Sequence, residues 1–201
     1  AKSLYRRLEA PGALDNVPFA DNKIRLLEIL INKNCPLINI KLNELTKKFP
    51  KLDANIMGVI RNGKFTILKK NDVILNADKA YLIINSSQMS DTLNAFGHNE
   101  KISTKILIIG GGNIGLNLAK NLEETFESAR VKIIEKNKER AEFIANELNN
   151  TIIINGDGLD EDVLLEANLD EVETVLALTN DDEDNLMVRV LVEKFTKHKD
   201  V

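Results

Sequence analysis

The chain has 201 residues, of which 29% are charged and 43% hydrophobic, with a formal net charge of −4. That length supports one large or two small domains with their own cores, and the acidic balance offers no electrostatic footprint for nucleic acid. No apolar run approaches the roughly 20 residues of a membrane span, no charged-then-apolar signal segment opens the chain, and a single cysteine, Cys35, excludes an internal disulfide and suits a reducing compartment.

Ala1 to Ala10 reads as the end of a helix, stopped by Pro11-Gly12. The first residue is not Met, which suggests a chain cut from something longer, with residues 1–20 as the end of a preceding domain and a linker. Residues 21–87 read as a small α+β unit. Lys23 to Ile31 is apolar enough for a strand, and Leu37 to Phe49 carries Ile40, Leu42 and Leu45 among lysines, which fits a short helix ended by Pro50. Cys35, next to Pro36, reads as a buried small residue rather than a reactive thiol. Ile56 to Leu68 holds two β-rich runs joined at Asn62-Gly63, a strong hairpin signal because both turn residues must accept positive φ. Ala80 to Ile84 adds a last strand, and Lys69-Lys70 reads as a solvated loop.

Residues 88–104 read as a linker, with Ser90 capping a short helix through Phe96 and a polar break at Gly97-His98-Asn99-Glu100. His98 has no partners at metal-ligand spacing. From Lys105 to the end, strand and helix patterns alternate, the signature of a parallel sheet with helices on its faces.

This second unit opens on Lys-Ile-Leu-Ile-Ile-Gly-Gly-Gly-Asn-Ile-Gly, residues 105–115. A β-branched apolar run enters a glycine cluster and leaves it as a helix, with Ile114, Leu118, Ala119 and Leu122 at helical spacing. Gly110, Gly112 and Gly115 complete a G-x-G-x-x-G between strand and helix. The first glycine permits the tight turn, the second lets backbone amides approach a pyrophosphate, and the third lets helix and strand pack closely. The pyrophosphate is expected on Gly110, Gly111, Gly112, Asn113 and Ile114, at a helix N-terminus whose free N–H groups and dipole favour anions. Val131 to Ile134 forms the next buried strand, and Glu135 closes it at the distance where a carboxylate accepts ribose hydroxyls and repels a 2′-phosphate. NAD+ or NADH is therefore favoured over the phosphorylated cofactor.

Asn137 is a plausible cap for a helix that turns Ala141, Ile144, Ala145 and Leu148 to one side. The third strand, Thr151 to Ile154, ends at Asn155-Gly156-Asp157-Gly158, along the crevice where such sheets bind ligands. Asp157 is read either as a contact to the adenosine half or as a turn residue between glycines, and Asp160 as the next helix cap. The fourth strand, Thr174 to Leu178, leads into Thr179-Asn180-Asp181-Asp182-Glu183-Asp184. Asn180 with Glu183 matches a capping box, and the acidic run fits the first turn of a helix; a divalent-metal site is the sharper alternative. Thr179 and Asn180 are expected to meet the phosphates or the nicotinamide side. Leu186 to Val192 is apolar nearly all round, which predicts burial on more than one side. Four strand–helix units are a truncated version of the six-stranded dinucleotide fold, and Leu116 stands where a Walker-A lysine is required.

This ordered set resembles the RCK (KTN) family, which includes the cytosolic subunits of Trk-type potassium uptake systems. Pro11-Gly12-Ala13-Leu14-Asp15 with Val17-Pro18-Phe19 resembles the join after a first RCK-N domain. Cys35-Pro36-Leu37, Leu42-Asn43-Glu44-Leu45 and the Arg61-Asn62-Gly63 hairpin resemble an RCK-C (TrkA-C) domain. Gly110 to Gly115, Glu135, Gly156-Asp157 and Thr179-Asn180-Asp181-Asp182 resemble a second, incomplete RCK-N (TrkA-N) domain spanning 105–201. The resemblance implies an α/β protein with a Rossmann-like nucleotide domain and a smaller α+β domain before it. It further implies a non-enzymatic, homo-oligomeric cytoplasmic regulator that docks at the inner face of the membrane on a Trk-type potassium transporter. Its ligands would be NAD(H) and often ATP or ADP, competing for one crevice. Two other classes share these residues: a dehydrogenase fragment, which needs a proton donor and substrate pocket, and an assembly module with a vestigial nucleotide site.

Overall fold

The structure, a computed structural model, describes residues 1–50 and 52–195. It divides into two compact units, one formed by residues 6–102 and the other by residues 1–5 together with the chain from 103 onward.

The unit of residues 6–102 begins within the opening helix α1 (Lys2–Glu9) and is built on an antiparallel sheet. Its strands are β1 (Ala13–Phe19), β2 (Ile24–Leu30), β3 (Ala54–Arg61), β4 (Lys64–Thr66) and β5 (Lys79–Asn85), in the order β1-β2-β5-β3-β4. Alternation places Leu27 and Ile29 of β2 and Ala80, Leu82 and Ile84 of β5 on the buried face, the period-two pattern of a one-sided sheet. Asn62 and Gly63 both take positive φ and join β3 to β4, as the Asn-Gly pair requires.

Three local expectations change here. Ala13–Phe19, read as a join, is a strand that pairs along β2. The helix expected over Leu37 to Phe49 is only α2 (Leu42–Lys48): Asn39 is left-handed, its N–H reaches Ile74 O at 3.0 Å, and Ile38 and Lys41 bridge to Ile74 and Val73. Those bonds to the segment at Val73 and Ile74 consume groups that a longer helix would need. Ser90 lies inside helix α3 (Met89–Ala95) rather than capping it; Asn85 accepts the Ser87 N–H and starts the 3₁₀ turn that runs into α3. Gly97, at φ +86°, ends it with the paired Gly97→Asn94 and His98→Leu93 bonds of a Schellman stop. His98, just past that stop, is buried, with Nε2 3.2 Å from Leu30 O.

The second unit alternates β6 (Lys105–Ile109), α4 (Asn113–Thr125), β7 (Arg130–Glu135), α5 (Lys138–Glu147), β8 (Ile152–Asn155), α6 (Glu161–Glu166), β9 (Thr174–Ala177) and α7 (Asp182–Phe195). All strand pairs are parallel, in the order β8-β7-β6-β9. Ile106 to Ile109 are buried on both faces of the central strand. Leu107, Ile109 and Ile134 pack with Leu164, Val175, Val188 and Val192 in one core layer. The order reverses between β6 and β9, and such a reversal opens a crevice at the C-terminal ends of the strands.

Glu123, near the end of α4, holds the turn before β8. Its carboxylate accepts the N–H groups of Asn149, Asn150 and Thr151 at 3.0, 2.8 and 2.7 Å and the Thr151 hydroxyl at 2.7 Å. Burial pushes its pKa up, but these four donors outweigh it and hold the carboxyl below the ordinary glutamate range. A group lowered on folding stabilises above its unfolded pKa and loses that contribution as pH falls through the folded value. Against Glu123→Gln, the parent is expected to be more stable by about 1–2 kcal/mol at neutral pH. Denaturant titrations should show that margin shrinking once the pH drops below 4.5, the ordinary value; a margin indifferent to acid would refute the role.

Helix α7, expected to be buried on more than one side, packs one face into the core of its own unit. Val188 and Val192 are buried, whereas Leu186, Met187 and Val190 are at least half exposed.

Candidate functional site

The crevice forms where β6, β7, β8 and β9 end. Its cavity of about 600 Å³ is lined by Gly110, Gly112, Asn113, Glu135, Asp157, Thr179 and Asn180, together with Lys136, Arg140 and Asp184. Seven residues named from sequence therefore meet in one place, although they come from four loops. Gly111, Ile114 and Gly115 do not line the cavity.

The glycines divide their work as the motif chemistry requires. Gly110 sits at φ +110°, and a β-carbon there would lie 2.6 Å from Leu178 O, so the turn can pass beneath the β9 loop only without a side chain. A β-carbon at Gly115 would lie 2.2 Å from Gly110 O, which makes the third glycine a packing residue. At Gly112 a β-carbon would meet no atom within 4 Å. That position faces open space, and it is also the N-cap of α4, where no side chain takes up the free N–H groups. Ile114, expected on the packed face of α4, is instead 52% exposed; the packed face begins at Gly115 and continues through Leu118, Ala119 and Leu122.

Glu135 ends β7 with its carboxylate fixed by two backbone donors. Oε2 accepts the Gly111 N–H at 2.7 Å and Oε1 accepts the Asn137 N–H at 2.8 Å. A carboxylate has about four acceptor sites, so each oxygen keeps capacity for a further hydroxyl. Asn137 caps α5 as expected, its side chain accepting from Arg140 N. Asp157 lies opposite, 2.6 Å from the Lys136 ammonium, and also accepts the Leu159 N–H at 3.0 Å. The lysine first, and that N–H second, hold the Asp157 carboxyl below its usual range.

The far wall differs from the capping expectation. Asp181, not Asn180, caps α7: its Oδ1 accepts from Glu183 N at 2.8 Å and Asp184 N at 3.2 Å. Asn180 is left exposed at the cavity rim. Thr179 is held by Asn185, whose Oδ1 accepts the Thr179 N–H at 2.9 Å. The acidic run thus serves the first turn of α7, and among the described residues no group of three His, Cys, Asp or Glu side chains is arranged to hold a metal ion.

The residue that sequence reading missed is Arg140. It stands in the first turn of α5, its Nε donating to Gly111 O at 2.8 Å and its Nη2 3.3 Å from Asn113 Oδ1, with the guanidinium 5.0 Å from the Phe143 ring centroid. The available signal was its place one turn beyond the Asn137 cap, at the end of α5 nearest the glycine turn.

This arrangement suits a nucleotide: an unfilled helix N-terminus beside an uncluttered glycine, and a prearranged carboxylate at the end of the neighbouring strand. Comparison with known proteins agrees with the fold. The model of the TrkA-C domain matches residues 26–97 and that of the TrkA-N domain residues 106–201. The chain is 40% identical over 191 residues to Trk system potassium uptake protein TrkA of Azorhizobium caulinodans, covering 95% of this chain and 42% of that one. It is 34% identical over 196 residues to the protein of the same name from Vibrio alginolyticus, covering 98% and 42%. The chain therefore spans about two fifths of the length of these relatives. Among solved structures, the RCK domain of GsuK aligns with a TM-score of 0.58 at 20% identity, over 97% of this chain and 41% of that one. A structure described as the GsuK channel bound to NAD aligns with a TM-score of 0.58 at 18% identity, over 98% and 35%. With a TrkA-C domain followed by a parallel-sheet TrkA-N domain, the chain belongs to the TrkA (RCK) family.

Proposed function

We propose that this chain is a nucleotide-sensing, non-catalytic regulatory part of a Trk-type potassium uptake system. The observation that carries the reading is Glu135, prearranged by two N–H groups at the end of β7 and next to the free N-terminus of α4. In this reading Glu135 accepts the ribose hydroxyls of NAD+ or NADH, and the backbone from Gly110 to Ile114 meets the pyrophosphate. Asp157 lies toward the adenosine half, and Thr179 with Asn180 toward the far end. ATP and ADP compete for the same crevice. The names of the curated relatives and the NAD-bound GsuK channel support this assignment. As a homo-oligomer, the protein would act on a membrane-embedded potassium transporter from the cytoplasmic face. Only a difference in nucleotide affinity between two arrangements of the regulator can bias the transporter.

The test is calorimetric titration with NADH, NAD+, NADPH and ATP, on the parent chain and on Glu135→Ala. NADH and NAD+ are expected to bind the parent, with NADPH weaker. The variant should lose about ten- to a hundredfold in NADH affinity, the scale of hydrogen bonds to a charged group. Equal affinity in parent and variant would remove Glu135 from the site, and no binding of any nucleotide to the parent would overturn the reading.

A further inference from the structure

Gly111 is gripped from both sides by side chains of the adjoining strand–helix unit. Glu135 accepts its N–H at 2.7 Å, and Arg140 donates to its C=O at 2.8 Å. The second bond has a geometric consequence for the next residue. In a planar trans peptide the C=O and the following N–H point in opposite directions, so holding Gly111 O toward Arg140 turns the Gly112 N–H away from it. Gly112 lines the cavity, and nothing stands within 4 Å of the place a β-carbon would take there. A cation on the carbonyl also polarises the peptide and strengthens the N–H as a donor.

We propose that Arg140 is a positioning residue for the phosphate-binding turn, aiming and polarising the Gly112 N–H through its hold on Gly111 O. This deepens the nucleotide reading above and rests on it for the identity of the ligand. The arm is well placed for the task. Arg140 stems from a capped helix, packs against Phe143 and reaches Asn113 Oδ1 with a second nitrogen, so the guanidinium spans two points of the same turn. The ribose-binding carboxylate and the organiser of the phosphate turn lie five residues apart on one β–α unit. A ligand that engages Glu135 therefore finds the phosphate turn already set by the same element.

The experiment compares the parent chain with Arg140→Ala and Arg140→Lys in two measurements. Calorimetric titration uses adenosine, ADP and NADH. Arg140→Ala is expected to lower ADP and NADH affinity about tenfold, the worth of a well-made charged hydrogen bond expressed as an equilibrium constant, with adenosine unchanged. Arg140→Lys keeps one donor and loses the fork, and should fall between. The second measurement needs no ligand: in ¹H–¹⁵N spectra of the free protein the Gly112 amide resonance should move in Arg140→Ala and move less in Arg140→Lys. Equal loss of adenosine and ADP affinity, or a stationary Gly112 resonance, would overturn the proposal. If the parent binds no adenine ligand, the nucleotide reading fails, while the Gly112 resonance still decides whether Arg140 sets the turn.

Discussion

Gly112→Val is expected to abolish binding of NADH and ADP while leaving the parallel-sheet unit folded. The backbone at Gly112 has φ −61° and ψ −172°, an extended conformation open to any residue, and its β-carbon would meet no protein atom within 4 Å. The price in stability is confined to a poorer helix cap, about 1 kcal/mol or less, or a melting shift of a few degrees. The added isopropyl group would instead fill the space through which a phosphate must approach the N-terminus of α4. A loss of at least a hundredfold is expected, because direct overlap with a rigid turn has no cheap relief. Gly115→Ala is the opposite control: its β-carbon would lie 2.2 Å from Gly110 O, so that variant should be damaged in folding as well as binding. Calorimetric titration beside thermal unfolding separates the two, and retained NADH affinity in Gly112→Val would show that ligand does not approach this turn.

The largest stability effect is expected at Asp78, in the other unit. Its carboxylate is 1% exposed and receives a two-point fork from Arg61, Nε to Oδ1 at 2.8 Å and Nη2 to Oδ2 at 2.7 Å, with the Leu75 N–H at 2.9 Å on Oδ2. Arg61 also donates to Val73 O at 3.0 Å, so the end of β3 is tied to the turn that precedes β5. Burial raises the Asp78 pKa, and the Arg61 fork and the Leu75 N–H outweigh it, so the carboxyl titrates below its ordinary value. Asp78→Ala leaves the guanidinium and the Leu75 N–H without their acceptor, a change that costs about 3–5 kcal/mol for buried pairs. The Arg61 side chain keeps 32% exposure and can recover some water, which places the expected loss toward the lower figure. Amide hydrogen exchange should show the loss across the antiparallel unit and spare the parallel one. The double replacement Arg61→Met with Asp78→Leu should cost less than Asp78→Ala alone, since it removes both charges together. Equal exchange in Asp78→Ala and the parent would show the pair to be energetically idle.

Asp78 marks a boundary of sequence reading. It sits just before the strand read from sequence at Ala80 to Ile84, and nothing local distinguishes an exposed carboxylate there from a buried one. Its partner is 17 residues away, across the Asn-Gly hairpin. The helix expected over Leu37 to Phe49 overran for a similar reason: an amphipathic count does not include the bridges from Ile38 and Lys41 to the chain at Val73 and Ile74.

Sequence by itself determined the parallel-sheet unit, the glycine turn and the place of Glu135, because each is a local property. A β-branched run buried on both faces, a turn that only glycine can make, and a cap followed by helical spacing all operate within about ten residues of chain. The Asn62-Gly63 hairpin was legible on the same ground. Tertiary structure alone decided what those parts do to each other. Gly111 lies 24 residues from Glu135 and 29 from Arg140, and these three meet only because β6 and β7 pair in register and α5 begins at the end of β7. Spacing along the chain places a carboxylate at a strand end. The packing of neighbouring strands fixes where its oxygens point, and brings an arginine from the next helix onto the Gly111 carbonyl.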